Sequence, residues 1–265
     1  MWETMEAAMT LPQIHQLHPQ RSADPLDDEQ ILALYGSQDR DVPVARANVV
    51  ASVDGASTVG GLSGPLGGPA DKRVFDLLRR LSDVIVVGAG TLRQEGYVAM
   101  RLDPEASRWR LDHGLTAQPH FAIVSARLEL DPSSEVFTDA PVRPIILTAQ
   151  SAGHGSRREL EQVADIIDCG EERAEGVLLV EALRARGLPQ LHVEGGPHLL
   201  GTLIADDVLD ELCLTASPVL EGGFAPRVAS AGVDPIPQAM SLDHVLVSGS
   251  VLFTKYSRIR ESTPR

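Results

Sequence analysis

At 265 residues, with 43% hydrophobic and 23% charged side chains, the chain has the composition of an ordinary soluble globule, long enough for one full core or two small ones. Its 37 acidic residues outnumber 23 basic ones, and a formal net charge of −14 argues against a nucleic-acid surface, which needs clustered Lys and Arg. No apolar run approaches the ~18 residues of a membrane span, and the acidic start lacks the apolar segment of a secretory signal, so no membrane partner and a cytoplasmic location are expected.

Residues 1–42 are mixed polar sequence, expected to be an N-terminal extension packed on a main domain spanning 43–265. His15 and His18 stand three apart without a Cys or Glu partner, so no metal is expected. Asp27 to Tyr35 reads as a short helix with acids in its first turn and Gly36 after its end. Val44 to Val53 is the first strand of the main domain and ends at Asp54-Gly55. Asp54 there either forms an Asx turn or does chemistry. Gly60 to Pro69 holds five glycines and two prolines, a loop that closes over a ligand or simply links.

Asp71 to Leu81 is helical, with Val74, Phe75, Leu78 and Leu81 on one stripe. The near-continuous apolar run 83–87 follows as a buried central strand, expected to pair in parallel with the first through a right-handed crossover. It stops at Gly88-Ala-Gly-Thr91. With Arg at position 93 this is no dinucleotide fingerprint, yet glycines and a hydroxyl at a strand's carboxyl end suit a phosphate. Arg93, Glu95, Tyr97 and Arg101 read as loop, and 103–118 as polar and irregular.

Strands follow at 120–125, 144–148 and 164–169, and a helix at 177–186 stopped by Gly187. A strand at 190–194 runs into Gly195-Gly196 and then Pro197, which suits a helix's first position. The N–H groups of that helix start can hold a pyrophosphate without a cationic side chain. Segments 209–217 and 244–256, with Gly222-Gly-Phe between them, read as two long strands forming an antiparallel edge. Such an edge is either covered or paired across a dimer axis. The alternation of strand and helix makes the fold α/β, and Cys169 and Cys213 are expected as buried free thiols.

In order and spacing, Ala51-Ser-Val-Asp-Gly55, the Ser63-Gly loop, Leu77-Leu-Arg79, Asp83 to Thr91, Val193-Glu-Gly-Gly-Pro197 and Asp210-Glu-Leu resemble the pyrimidine reductase family, the reductase domain of riboflavin biosynthesis. The resemblance covers roughly 44–256. It implies a dihydrofolate reductase-like mixed, mostly parallel sheet of about eight or nine strands, flanked by helices and edged by antiparallel C-terminal strands, in a homodimer. It implies NADPH-dependent reduction of 5-amino-6-(5-phosphoribosylamino)uracil to its ribitylamino form. Carried across by position, the cofactor meets Gly88, Gly90, Thr91, Glu95, Ser125, Gly195, Gly196, Pro197, His198 and Leu199. The substrate meets Ser63, Arg79, Arg101 and Glu194, and Asp54 assists proton traffic or holds the ribose.

Planar guanidinium groups suit a phosphate monoester, which makes Arg79 and Arg101 the expected clamp, with Arg127 a candidate partner for the cofactor's 2′-phosphate. Glu194 is placed to accept hydrogen bonds from the aminopyrimidine or the ribose. Two departures stand out: Pro65 replaces an aromatic common in the family, and Glu95-Gly96 replaces an acidic pair. No His-x-Glu followed by Pro-Cys-x-x-Cys occurs in the sequence, so no zinc deaminase activity of the kind found in bifunctional relatives is expected of it. A reductase of folates or another pterin, and a nucleotide-binding protein without turnover, are the alternatives that one fold leaves open.

Overall fold

Central strands are apolar on both faces where helices cover both, and that pattern dominates the middle of this protein. The computed structural model describes residues 11–37, 39–232 and 237–260. In chain order the strands are β1 (His15–His18), β2 (Val44–Ser52), β3 (Val84–Gly88), β4 (His120–Val124), β5 (Ile145–Thr148), β6 (Asp165–Asp168), β7 (Gln190–Val193), β8 (Glu211–Ser217), β9 (Met240–Ser248) and β10 (Val251–Arg258). The helices are α1 (Asp28–Tyr35), α2 (Pro69–Leu81), α3 (Ala89–Gln94), α4 (Pro104–Asp112), α5 (Glu135–Thr138), α6 (His154–Leu160), α7 (Gly176–Ala185) and α8 (Pro197–Ala205).

One sheet holds all ten strands in the order β1-β9-β10-β8-β2-β7-β3-β4-β5-β6. From β8 to β6 every pairing is parallel, whereas β10 joins β8 and β9 antiparallel and β1 joins β9 antiparallel. The mixed α/β architecture with an antiparallel C-terminal edge is therefore as expected. Period-two alternation divides the core between the faces. Val84 and Val86 pack with Leu191 and Val193 under α7 and α8, while Ile85 and Val87 pack with Phe121 and Ile123 against Leu92 of α3. A third cluster joins Ile31, Leu32 and Tyr35 of α1 to Val74, Leu77 and Leu78 of α2 and to Leu246 and Phe253 of the antiparallel strands. The helix expected over 27–35 is present as α1, closed by a capping box between Asp27 and Gln30.

Several expectations need correction. Strands β2 and β3 run parallel but do not touch, because β7 lies between them and bonds to both. All four residues of β7 are buried, so it needs neighbours on both sides. Residues 104–112 form α4 where irregular chain was expected: the Asp103 carboxylate accepts the Ala106 N–H at 2.8 Å and Pro104 starts the helix. Its Arg110 is 1% exposed and donates to the carbonyls of Arg80, Ser82 and Thr116, which fastens α4 to the end of α2. The long strand expected at 244–256 is two strands joined by a tight turn in which Gly249 has φ +58°. Strand β1 and helix α6 were not anticipated. On α2, Phe75 and Leu81 are only half-buried and Leu77 takes their place in the core. Both cysteines are buried free thiols, and burial pushes Cys169 up to about 11 and Cys213 up to about 12. No helix among the described residues is long and apolar enough to cross a membrane.

Candidate active site

At the carboxyl ends of β2, β3 and β7 the sheet opens into a cavity of about 960 Å³. This is where ligands enter open α/β sheets. Its floor is Asn48, Val49 and Val50 of β2 with Glu194 to Pro197 after β7. Around it stand the glycine-rich loop (Ser63, Gly64, Gly67, Gly68), the exposed flank of α2 (Asp71, Lys72, Phe75, Arg79), the chain from Thr91 to Arg101, and Pro226 and Val228.

The two glycine corners, far apart in sequence, meet. The Gly88 N–H donates to the Gly195 carbonyl at 2.9 Å. Gly195 has φ +96°, and a Cβ on Gly196 would collide with the Thr91 hydroxyl oxygen. The Gly195-Gly196 peptide is cis. Only a residue without a side chain fits between Thr91 and the start of α8.

Beside this junction lies the site's charged centre. The Arg79 guanidinium donates to Glu194 from Nε to Oε1 at 2.5 Å and from Nη2 to Oε2 at 2.8 Å, and the Tyr97 hydroxyl donates to Oε2 at 2.8 Å. Glu194's side chain is only 1% exposed and Arg79's 18%. Burial pushes Glu194 up, but the charge and hydrogen bonds of Arg79, with help from His192 and Tyr97, bring it below its ordinary value. Burial followed by the neighbouring carboxylate pushes Tyr97 well up, so its proton stays in place. His192, 3.6 Å from Oε1, is pushed down to about 4 by burial and by Arg46 and Arg79, against the pull of Glu194. The imidazole is therefore neutral near pH 7. The Arg79 side chain also lies over the Phe75 ring, 4.3 Å from its centroid. Arg79 thus arrives at the cavity with its charge already matched.

The end of α3 pins the glycine-rich loop. A Glu95 carboxylate oxygen accepts the Ser63 N–H at 2.9 Å, and the Gln94 amide donates to the Gly61 carbonyl. Ser63 and Glu95, assigned above to different ligands, are therefore bonded to each other. Arg101 lines the cavity, half-exposed, with Nη2 donating to the Asp139 carbonyl at 2.9 Å. Asp71, partly buried under the loop, accepts from the Thr215 hydroxyl at 2.6 Å, and burial pushes its carboxyl up.

Asp54 stands apart from the cavity lining. Its carboxylate accepts from the Ser52 hydroxyl at 2.5 Å and from the N–H groups of Glu221 and Gly222 at 3.2 and 2.8 Å, and those bonds hold it down to about 2. It latches the end of β2 to the loop that carries Pro226 and Val228 into the cavity wall. Gly88, Gly90, Ser125, His198 and Leu199 are likewise not among the lining residues. Ser125 is buried, with its carbonyl accepting the Thr148 hydroxyl at 2.7 Å, and Arg127 is exposed beside Glu129. The residues passed over are Asn48, Asp71, Lys72, Phe75 and Tyr97. Asn48 had a signal: an amide in the middle of a β-branched strand is costly unless it faces polar company.

Gly196→Ala is expected to destabilise the protein by roughly 1–3 kcal/mol through overpacking against Thr91. The double variant with Thr91→Ala should recover most of that in urea denaturation; no recovery would rule out the contact. For Asp54, the folded carboxyl at about 2 lies below its ordinary 3.8, so its contribution is complete above 3.8 and is lost as pH falls through the folded value. Asp54→Asn should therefore melt lower than wild type near neutrality, with the gap closing toward pH ~2. A gap that does not change with pH would show that Asp54 is not a latch.

A family model described as the RibD C-terminal domain matches residues 43–252. The 2,5-diamino-6-ribosylamino-4(3H)-pyrimidinone 5′-phosphate reductase of Archaeoglobus fulgidus is 30% identical over 182 residues, covering 68% of this chain and 83% of that protein. The like-named reductase of Methanothermobacter thermautotrophicus is 28% identical over 204 residues, covering 76% and 90%. The crystal structure of a pyrimidine reductase-like protein from Corynebacterium diphtheriae superposes with a TM-score of 0.78 at 28% identity, over 89% of this chain and all of that one. The chain belongs to the RibD C-terminal domain family of pyrimidine reductases.

Proposed function

We propose that this protein reduces a ribosylamino-pyrimidine 5′-phosphate at the expense of NADPH, as a step of riboflavin biosynthesis. The observation that carries the proposal is the meeting of the two glycine corners beside the Arg79–Glu194–Tyr97 cluster on one large cavity. The residues fit a reduced dinucleotide. At Gly195-Gly196 the backbone is bare of side chains, and α8 begins there with no side-chain cap and with the positive end of its dipole. That arrangement suits an anion in a protein of net charge −14. Thr91, Gly195, Gly196 and Pro197 would hold the dinucleotide, and the reduced nicotinamide supplies the hydride for C1′ of the opened sugar.

The protein's share is placement and exclusion of water. Glu95 and Gln94 hold the glycine-rich loop over the cavity, and Phe75 and Tyr97 supply apolar wall. Lys72 and Arg101 are lining cations whose side chains reach solvent, at 74% and 52% exposure; their partners Asp76 and Asp139 are exposed too, and such screened surface pairs yield readily to a phosphate that enters last. Asp54, engaged in its latch, shapes the wall from behind. In the same proposal the enzyme is a cytoplasmic homodimer. Its antiparallel edge strands leave Leu242 and Leu252 more than a third exposed, which suits a subunit contact.

The resemblance pointed to the uracil substrate, whereas both archaeal relatives are named for a pyrimidinone that carries an amino group at C2. The two compounds differ at that position alone, so the names favour a second substrate rather than a second reaction. Loss of the near-ultraviolet absorbance of NADPH should follow addition of at least one of the two ribosylamino-pyrimidine phosphates, and not of dihydrofolate. Comparable turnover of dihydrofolate, or none with either pyrimidine, would contradict the proposal.

A further inference from the structure

Opening the sugar consumes a proton, and the acid expected to move one cannot supply it. Asp54 lies outside the cavity lining and is held down to about 2, so it is ionised near neutrality. Among the lining groups, Glu194 is ionised and Tyr97 keeps its proton directed at it. Glu95 accepts the Ser63 N–H, and Lys72 and Arg101 stand half or more exposed beside Asp76 and Asp139. The remaining acid of the lining is Asp71.

Asp71 stands in the first turn of α2, on the flank that also carries Phe75 and Arg79. Its Oδ1 accepts the Thr215 hydroxyl at 2.6 Å, and among the described residues Oδ2 has no hydrogen-bond partner. Oδ2 lies against the bare backbone of Gly67, where a Cβ would approach it to 2.8 Å, so the missing side chain leaves this oxygen room. The charges on the elements packed around it are spent on one another. Arg46 of β2 pairs with Glu211 of β8, which also receives Lys255 of β10, and Lys72 pairs with Asp76. Tyr35 of α1, Cys213 of β8 and His244 of β9 are buried and neutral. No cation therefore offsets the carboxylate, and burial outweighs the Thr215 bond in favouring the protonated form. Asn48 completes the corner: it is 8% exposed, lines the cavity, and its amide has no hydrogen-bond partner among the described residues. Its partner in the β8 register is Cys213, which sets it diagonally across from Thr215. A buried amide left unpaired is costly unless a ligand pairs it.

We propose that Asp71 is the proton donor that opens the sugar, with Asn48 holding the ribose against it. Asp71 passes its proton to the ring oxygen O4′ as the C1′–O4′ bond breaks, and the lone pair of the attached nitrogen forms C1′=N. The iminium then accepts a hydride at C1′. One proton and one hydride enter in all, and the carboxylate recovers its proton from solvent through the cavity. The inference rests on the function proposed above, and it moves to Asp71 the proton traffic expected of Asp54.

Steady-state kinetics, together with NMR of anomer exchange without cofactor, test it on the two ribosylamino-pyrimidine phosphates. Ribosylamines exchange α and β anomers through the opened imine, so the exchange reports ring opening alone. Asp71→Asn should lower kcat about 100-fold or more with little change in KM, and abolish the acceleration of exchange by the enzyme. Because the acid acts only while protonated, kcat/KM of the wild type falls as pH rises through the Asp71 value. Thr215→Val removes the bond that favours the carboxylate and should move that fall to higher pH. A merely structural contact would lower the rate without moving the fall, so this variant decides the matter if Asp71→Asn misfolds. Near-wild-type kcat in Asp71→Asn, exchange indifferent to Asp71, or a fall unmoved in Thr215→Val overturns the proton donor. Exchange that depends on Asp71 with no oxidation of NADPH overturns the proposed reaction and leaves the proton donor standing.

Discussion

A buried carboxylate at the end of a central strand cannot stand alone, and Glu194 is satisfied only because a guanidinium reaches it from another element. Arg79 sits near the end of α2, and Glu194 directly follows β7. Their two-point contact ties a surface helix to the centre of the sheet. Leaving either charge without its partner in so buried a setting costs about 3–5 kcal/mol. The third cation-free contact, from Tyr97, brings the chain after α3 to the same oxygen, so three segments are referred to one point. The cavity takes its shape from that point: α2 forms one wall, the Thr91–Arg101 segment another, and the turn after β7 the floor.

That arrangement depends in turn on β7 pairing directly with β3. The central place sets Glu194 and the Gly195-Gly196 turn directly beside Gly88, so that a single backbone bond joins the two corners. Were β7 not paired with β3, the corners would be held at least a strand apart, and Thr91 could not meet Gly196. Strand order is thus the step between the apolar runs of the sequence and the chemistry of the site.

Much of this was legible from local patterns. The apolar runs at β3, β4 and β5, the stripe on α2 and the glycine corners follow from short-range periodicity and backbone chemistry. Strand order was not legible, because nothing local in β3 or β7 says which of them neighbours β2. Helix α4 was hidden because its exposed faces are polar, although Asp103-Pro104 was an adequate start signal. At the site, the resemblance to the family, not composition, pointed to Arg79, Glu194, Ser63 and Glu95. It could not show that they bond in pairs, Arg79 with Glu194 and Ser63 with Glu95, since each pair bridges segments distant in the chain. Tyr97 was visible only as a loop aromatic, and its importance comes entirely from the carboxylate it meets. Asp54 illustrates the opposite case: an acid at a strand end suggests chemistry, yet its oxygens are taken by Ser52 and two backbone N–H groups.

The most direct measurement is a crystal structure of the protein with NADPH. The account predicts the pyrophosphate against the bare backbone of Gly195-Gly196 and the nicotinamide inside the cavity, facing the wall formed by Arg79 and Tyr97 with the Arg79–Glu194 contact intact. Coenzyme bound elsewhere on the molecule, or an Arg79 that abandons Glu194 to hold a cofactor phosphate, would contradict it.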